Sequence, residues 1–336
     1  MVYIDGRTEL RGSAFFEKYR KIWDEGDPKM FEQEVQRFKL TGAFISTSMG
    51  PASEKLLDML VHRDDYKLIY LDYDAIIFLK DIPENADYIK KFYVDLSKWK
   101  TIKLDIRHFG PTLASPYQNM ARAHSLIAMG YPDQAVGEAN AALEIDPTYA
   151  VPYKLKGRVY FERKDWENAF RNYRIALASS PEDVRLRGRL AMSYLGMGEL
   201  GYAMKEAEKM IERAPEDAQG YFVKAKVLVK MKEYNKAYDI VLQALRITPK
   251  SVNDMLELGD LAFEDKAYSQ AARYYSEGLG MDPRRAIAHE KMGIILHAQG
   301  KDARAILEYK KSLSIDPANT SARKALAELV PKRGGK

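Results

Sequence analysis

Two aspartates one residue apart, Asp72 and Asp74, are the first residues in the chain whose types and spacing could do chemistry. Carboxylates so placed can hold a divalent cation together with a sugar nucleotide. They sit in YKLIYLDYDAIIFLKD (66–81), where two apolar runs flank Asp72-Tyr73-Asp74, and aspartates in such a hairpin commonly serve the turn itself. A second candidate is Ser46-Thr47-Ser48-Met49-Gly50-Pro51, whose free backbone N–H groups could hold an anion ahead of a helix, although a plain strand-to-helix loop is the stronger reading. The five histidines, His62, His108, His124, His289 and His297, show no pairing with carboxylates at metal-ligand spacing. Zero cysteines exclude thiolate zinc sites, iron–sulfur clusters, disulfides and a cysteine nucleophile. No catalytic residue, cofactor or metal site is therefore expected.

The elements that would position these residues lie in the first hundred. Val2–Asp5 and Ala43–Ser48 read as short strands, and Ser13–Asp24, Pro28–Phe38, Pro51–His62 and Glu84–Val94 carry helical spacing. Asp27 and Pro28 form a cap and first-turn pair. A strand–helix–strand–helix–hairpin–helix order predicts a small, mostly parallel α/β sheet over residues 1–100, followed by a linker at 101–115. No Gly-rich phosphate fingerprint follows its first strand.

Beyond the linker the chain repeats. Pro147, Pro181, Pro215, Pro249, Pro283 and Pro317 recur every 34 residues, and Ala135, Ala169, Ala203, Ala237, Ala271 and Ala305 each precede their proline by 12. Within residues 150–183, Tyr153, Gly157 and Tyr160 share one helical face and Ala169, Tyr173 and Ala176 the next. Small residues are needed where antiparallel helices approach most closely, hence Gly157 and Ala169, with aromatic side chains expected to fill the space between neighbouring repeats. Each proline ends a second helix and resets the chain for the next repeat.

These residues, with Tyr221, Ala225, Ala237, Ala244 and Pro249 in the fourth repeat, closely resemble the tetratricopeptide repeat family over residues 116–319. Departures are Arg187 at an aromatic position, and Met210 and Gly278 at usual alanines, which are expected to loosen local packing without changing the fold. The resemblance implies an α-helical solenoid of six helix-turn-helix repeats, preceded by the small α/β domain. Residues 320–336 read as a capping helix, with Ala322, Leu326 and Leu329 on one side, and a tail.

VYIDGRTEL, YKLIYLDYDAIIFLKD and ENADYIKKF are similar to the soluble segment that follows the membrane-embedded part of bacterial mannosyltransferase-like glycosyltransferases. That likeness, over residues 1–95, would make the chain the extracytoplasmic tail of a membrane enzyme, with repeats that recruit an acceptor and without the catalytic loops. A self-standing chain would instead be a cytoplasmic adaptor. Composition fits both: 46% apolar and 30% charged residues exclude a disordered chain. Nothing approaches the roughly 18 consecutive apolar residues of a membrane span. The N-terminal MVYIDGRTELRG lacks the plan of a secretory leader.

Function then rests on the groove. By resemblance, positions two, five, nine and twelve of each first helix line a concave surface that receives an extended peptide or a partner's helix. The residues expected there or beside it are Lys154, Arg158, Phe161, Arg185, Arg189, Met192, Gln219, Phe222, Lys226, Asn253 and Phe263. Lys154, Arg158, Arg185, Arg189 and Lys226, interleaved with Phe161 and Phe222, would suit an acidic peptide with apolar anchors. A merely solvated charged face reads equally well. Some family members grip a terminal carboxylate through five basic and amide side chains spread over three repeats. Here Arg185 and Arg189 fit the last pair, but Met120, His124 and Leu155 replace the rest, so no full clamp is expected. Nucleic acid is an unsuitable partner, because Asp260, Glu264 and Glu290 break the basic face.

Overall fold

The structure, a computed structural model, describes residues 17–18, 20–47, 54–101, 115–249 and 251–329. The expected strand Val2–Asp5, the start of the Ser13–Asp24 helix, Ser48–Pro51, most of the 101–115 linker and the tail lie outside the described residues. The chain divides into two compact units, Met1–Ser180 and Pro181–Lys336.

The first unit opens with a short π-helical turn, Lys21–Glu25, and helix α1, Pro28–Phe38. As the sequence predicts, the Asp27 carboxylate caps α1 by accepting from the backbone N–H groups of Lys29 and Met30. Strand β1 (Gly42–Ser46), helix α2 (Glu54–Val61), the hairpin β2 (Tyr66–Leu71) and β3 (Ala75–Lys80), and helix α3 (Ala86–Phe92) follow. The sheet is antiparallel, in order β1-β3-β2, and not the mostly parallel sheet expected. The three-residue turn sends β3 straight back along β2, where Tyr73 N–H donates to Asp72 Oδ1. β1 then takes the other edge of β3. β1 and β2 still run in the same direction, joined through α2, but β3 lies between them. The inner face of this sheet packs Ile45, Leu68, Ile76 and Phe78 against Leu57 and Leu60 of α2 and Phe31 and Val35 of α1.

Helices α4 (Pro116–Ala128), α5 (Pro132–Ile145), α6 (Ala150–Glu162) and α7 (Trp166–Ser179) form two hairpins in the same unit. Met120, Leu126, Ala139, Leu155 and Val159 belong to the same buried cluster as the α/β layer. The second unit holds four hairpins. They are α8 (Val184–Gly196) with α9 (Leu200–Arg213), and α10 (Ala218–Lys230) with α11 (Tyr234–Ile247). Then come α12 (Val252–Glu264) with α13 (Tyr268–Met281), and α14 (Ala286–Ala298) with α15 (Asp302–Ile315). The capping helix is α16, Thr320–Leu329, which buries Ala322.

Each hairpin closes on one contact. A Cβ added to Gly157 would lie 2.6 Å from the Tyr173 ring, and the same holds for Gly259 on Tyr275 (2.7 Å) and Gly293 on Tyr309 (2.6 Å). Tyr173 therefore lays its ring inside its own repeat, not between neighbours as the sequence reading has it. In the other three repeats the ring is replaced by Ala139, Ala207 or Val241, and the glycine by Ala123, Ala191 or Ala225. A Cβ on the first helix thus occurs only where Ala or Val stands opposite it, which avoids the clash with a ring.

The turn between paired helices needs a left-handed residue at one fixed position. Gly130, Gly198 and Gly300 occupy it in three repeats, and Lys164, Lys232 and Lys266, at φ near +60°, in the others.

Arg187 is no weak point. Its Nη2 donates to Pro181 O at 2.7 Å and its Nη1 to Glu206 Oε2 at 2.6 Å. At the equivalent position His289 contacts Pro283 O (2.9 Å) and Glu308 (2.6 Å), while Tyr153 Oη donates to Pro147 O at 3.1 Å. A polar residue here satisfies the proline carbonyl that the interrupted helix leaves open. Met210, a second departure, is fully buried and fills the space over Gly188, and Gly278, the third, lies against Leu256.

Two outcomes are expected. Gly259→Ala, which in an exposed helix would gain up to about 1 kcal/mol, should instead cost about 1–3 kcal/mol by forcing Tyr275 outward. Urea unfolding measures that loss, and an unaltered Gly259→Ala variant would contradict the packing. Burial alone would raise the carboxyls of Glu206 and Glu308, but Lys209 with Arg187, and Lys311 with His289, hold them below the ordinary glutamate value. Their stabilisation is present above the unfolded pKa and lost as pH falls through the folded one, so stability should decline below about pH 4.3. Glu206→Gln with Glu308→Gln should flatten that slope of unfolding midpoint against pH.

Candidate functional site

From α10 onward the first helices of successive repeats in the second unit are tied to one another side chain to side chain. Lys226 Nζ lies 2.8 Å from Glu257 and 3.6 Å from Asp254, Lys230 Nζ 3.5 Å from Glu264, and Lys291 Nζ 4.4 Å from the Phe263 ring centroid. Asn319 Nδ2 donates to Glu290 at 2.8 Å, extending the ladder to the capping helix. These contacts mark a face on which α10, α12 and α14 present side chains together.

The predicted residues divide on it. Arg185, Arg189, Gln219 and Asn253 are exposed. Met192 is half-buried against Ala191, Ala207, Met210 and Val223. Phe222 is only 2% exposed and belongs to the core with Ala218, Ala225 and Met255, so it offers no surface anchor. Lys226 is likewise 7% exposed and is consumed by its two carboxylates. Burial raises the Asp254 carboxyl, and Lys226 opposes that rise. Phe263 packs on Tyr268, with ring centroids 5.5 Å apart, beneath Lys291.

In the first unit Lys154 is half-buried, and Arg158 is exposed but paired with Glu162 (3.1 Å) and Glu54 of α2 (3.5 Å). Phe161 stands edge-on to Trp166 at 5.1 Å and packs within its own hairpin. At the corresponding positions of the first repeat, Met120 is buried in the cluster that contains Leu57 and Leu60. His124 is pushed below the usual histidine range, first by burial and then by Arg158.

Asp72 accepts from Arg122 Nη1 at 2.9 Å, and Arg122 Nε donates to the fully buried Glu138 at 3.1 Å. Glu138 also accepts from Trp99 Nε1 (3.0 Å) and Asn119 Nδ2 (2.8 Å). The Asp74 backbone carbonyl is taken by Thr47 N–H at 3.0 Å. The Asp72 carboxylate thus joins the hairpin to the first repeat. Among the described residues no group of three or more His, Asp or Glu side chains is placed to hold a metal ion.

Sequence reasoning missed Asp254, Glu257 and Lys230. The available signal was the sign of whole helices: α8 and α10 carry only basic charges and α12 only acidic ones.

Residues 154–218, 218–251 and 256–320 match the tetratricopeptide repeat. The chain is 35% identical over 106 residues to "Hsp70-Hsp90 organizing protein 3" of Arabidopsis thaliana, which covers 32% of this chain and 19% of that one. It is 29% identical over 181 residues to "Protein O-mannosyl-transferase TMTC1" of Homo sapiens, covering 52% of this chain and 20% of the relative. The chain thus spans about a fifth of the length of these curated relatives. A solved structure of PilW, a type IV pilus biogenesis factor, superposes with a TM-score of 0.52 at 16% identity, over 62% of this chain and 96% of that one, and shows the fold alone.

Burial separates core from surface here in a way that mutagenesis reads directly. Phe222→Ala should cost about 3–5 kcal/mol of unfolding free energy, whereas Arg185→Ala and Gln219→Ala should stay within about 0.5 kcal/mol. Urea titration distinguishes them, and a cheap Phe222 substitution would contradict its place in the core. The 34-residue period, the six hairpins of the two units and the family match establish the chain as a tetratricopeptide repeat protein.

Proposed function

We propose that the chain is a noncatalytic scaffold that binds an extended segment of another protein along the shared face of α8, α10, α12 and α14. One observation carries this reading: exposed Arg185, Arg189, Gln219 and Asn253 stand on helices whose opposite sides are locked in the core, a rigid and polar surface with little ordering cost on binding. In the first repeat Met120 is buried in one cluster with α2, while Tyr117, at the position of Arg185, is exposed. The similarity to an Hsp70-Hsp90 organizing protein supports a role in bringing proteins together.

A second reading rests on the similarity to a protein O-mannosyl-transferase. In it the chain is the soluble part of a membrane glycosyltransferase, and the same face recruits the acceptor protein. The native reading frame upstream of Met1 decides between them: apolar spans there support the enzyme, and a start signal directly before Met1 contradicts it.

The scaffold reading is tested by affinity purification with the full chain and with Arg185→Glu/Arg189→Glu. Proteins retained by the first should fall more than tenfold with the second at unchanged far-ultraviolet circular dichroism, if the two guanidinium groups sit at the centre of the interface. Equal retention would overturn the assigned face.

A further inference from the structure

Helix α14, AIAHEKMGIILHA, is apolar on more sides than the core uses. It buries Ala288, Gly293 and Ile295, and its His289 lies buried on Glu308. Ile287 is nevertheless 64% exposed, and Ile294 is half-buried. A helix that is apolar all round is normally covered all round. Contacts settle where the open side lies: Lys291 reaches the Phe263 ring of α12 at 4.4 Å, and Glu290 accepts from Asn319. Ile287 stands three and four residues before these two, and Ile294 four and three after, so they share one stripe on the face joined to α12.

The charge beside that stripe is unbalanced. Lys226 serves both Asp254 and Glu257, and Lys230 serves Glu264 while also pairing with Asp265. Asp260 takes the Tyr275 hydroxyl at 2.6 Å and Glu290 the Asn319 amide, both neutral donors. Asp254, Glu257, Asp260, Glu264 and Glu290 thus stand against Lys226, Lys230 and Lys291, five carboxylates against three ammonium groups. The excess is reachable. Glu257 and Glu264, two turns apart on α12, keep 49% and 68% of their side chains in solvent.

We infer that α12 and α14 together receive a basic segment of a partner protein, whose Lys or Arg side chains meet Glu257 and Glu264 and whose apolar side chain covers Ile287. The inference deepens the scaffold reading and rests on it. It replaces the acidic peptide expected from the sequence, which drew on Lys226 and Phe222: the first is consumed by two carboxylates and the second lies in the core. An acidic segment over α12 would meet exposed carboxylates at close range, where like charges repel. A purely apolar one would strip water from those carboxylates without pairing them, which is costly. A purely cationic one would leave Ile287 uncovered.

The test is selection of a random dodecapeptide library displayed on phage against the full chain, followed by fluorescence anisotropy with synthetic peptides. Enriched peptides should combine Lys or Arg with a large apolar residue. Glu257→Gln/Glu264→Gln and Ile287→Ser should each weaken such a peptide by at least about fivefold. A peptide with its basic residues replaced by glutamate should bind Glu264→Lys more tightly than it binds the unaltered chain, which a misfolded variant would not show. Sensitivity to the glutamates alone, with Ile287→Ser without effect, would mean attraction by charge only and would overturn the assigned occupant. Enriched peptides that lose affinity with Arg185→Glu/Arg189→Glu but with neither the α12 nor the α14 variant would also overturn it and leave the scaffold reading standing. No enrichment over bare support, or enriched peptides indifferent to all three variants, would overturn both.

Discussion

Every hairpin in this protein depends on how closely its two helices can approach at a single crossing. The distance is set by one small residue on the first helix and its partner sixteen residues later, Gly against Tyr or Ala against Ala or Val. Because the interior is close-packed, a ring is accommodated only where the facing residue has no Cβ, and the same helix pairing is kept while the sequence drifts. The left-handed turn residue and the polar side chain on the proline carbonyl serve the same end, fixing where each helix starts and stops. A face assembled from first helices is only as regular as these crossings make it.

The α/β layer uses different means for a related purpose. Its core is continuous with that of the first two repeats, and the buried Glu138 gathers Trp99, Asn119 and Arg122, with Arg122 reaching on to Asp72 at the hairpin turn. Breaking such a network by removing one partner leaves a buried charge uncompensated, which is costly, so the layer holds its register on the first repeat. Met120 of the first repeat is buried in the same cluster as Leu57 and Leu60 of α2.

The repeat architecture was legible because its marks are local: a proline every 34 residues, an alanine 12 before it, and helical spacing between them each follow from single-helix chemistry. The sheet direction was not, since β1 could pair with either β2 or β3 and only the tertiary fold chooses. Arg187 read as a defect because its carbonyl and carboxylate partners meet it only once two helices pack. Phe222 shares its helical position with groove residues elsewhere, yet it faces the seam between neighbouring helices and is buried. The acids that consume Lys226 lie 28 and 31 residues further on, beyond any pattern within one helix. What sequence does carry, once the repeat frame is known, is the sign of each whole helix.

The central claim, that recognition occurs on the shared face of the first helices, is tested most directly by amide hydrogen exchange. The full chain would be compared with and without a saturating amount of a protein that it retains in affinity purification. The account predicts added protection in α8, α10 and α12 and none in α9, α11 and α13. Protection confined to the second helices, or to the α/β layer, would contradict it.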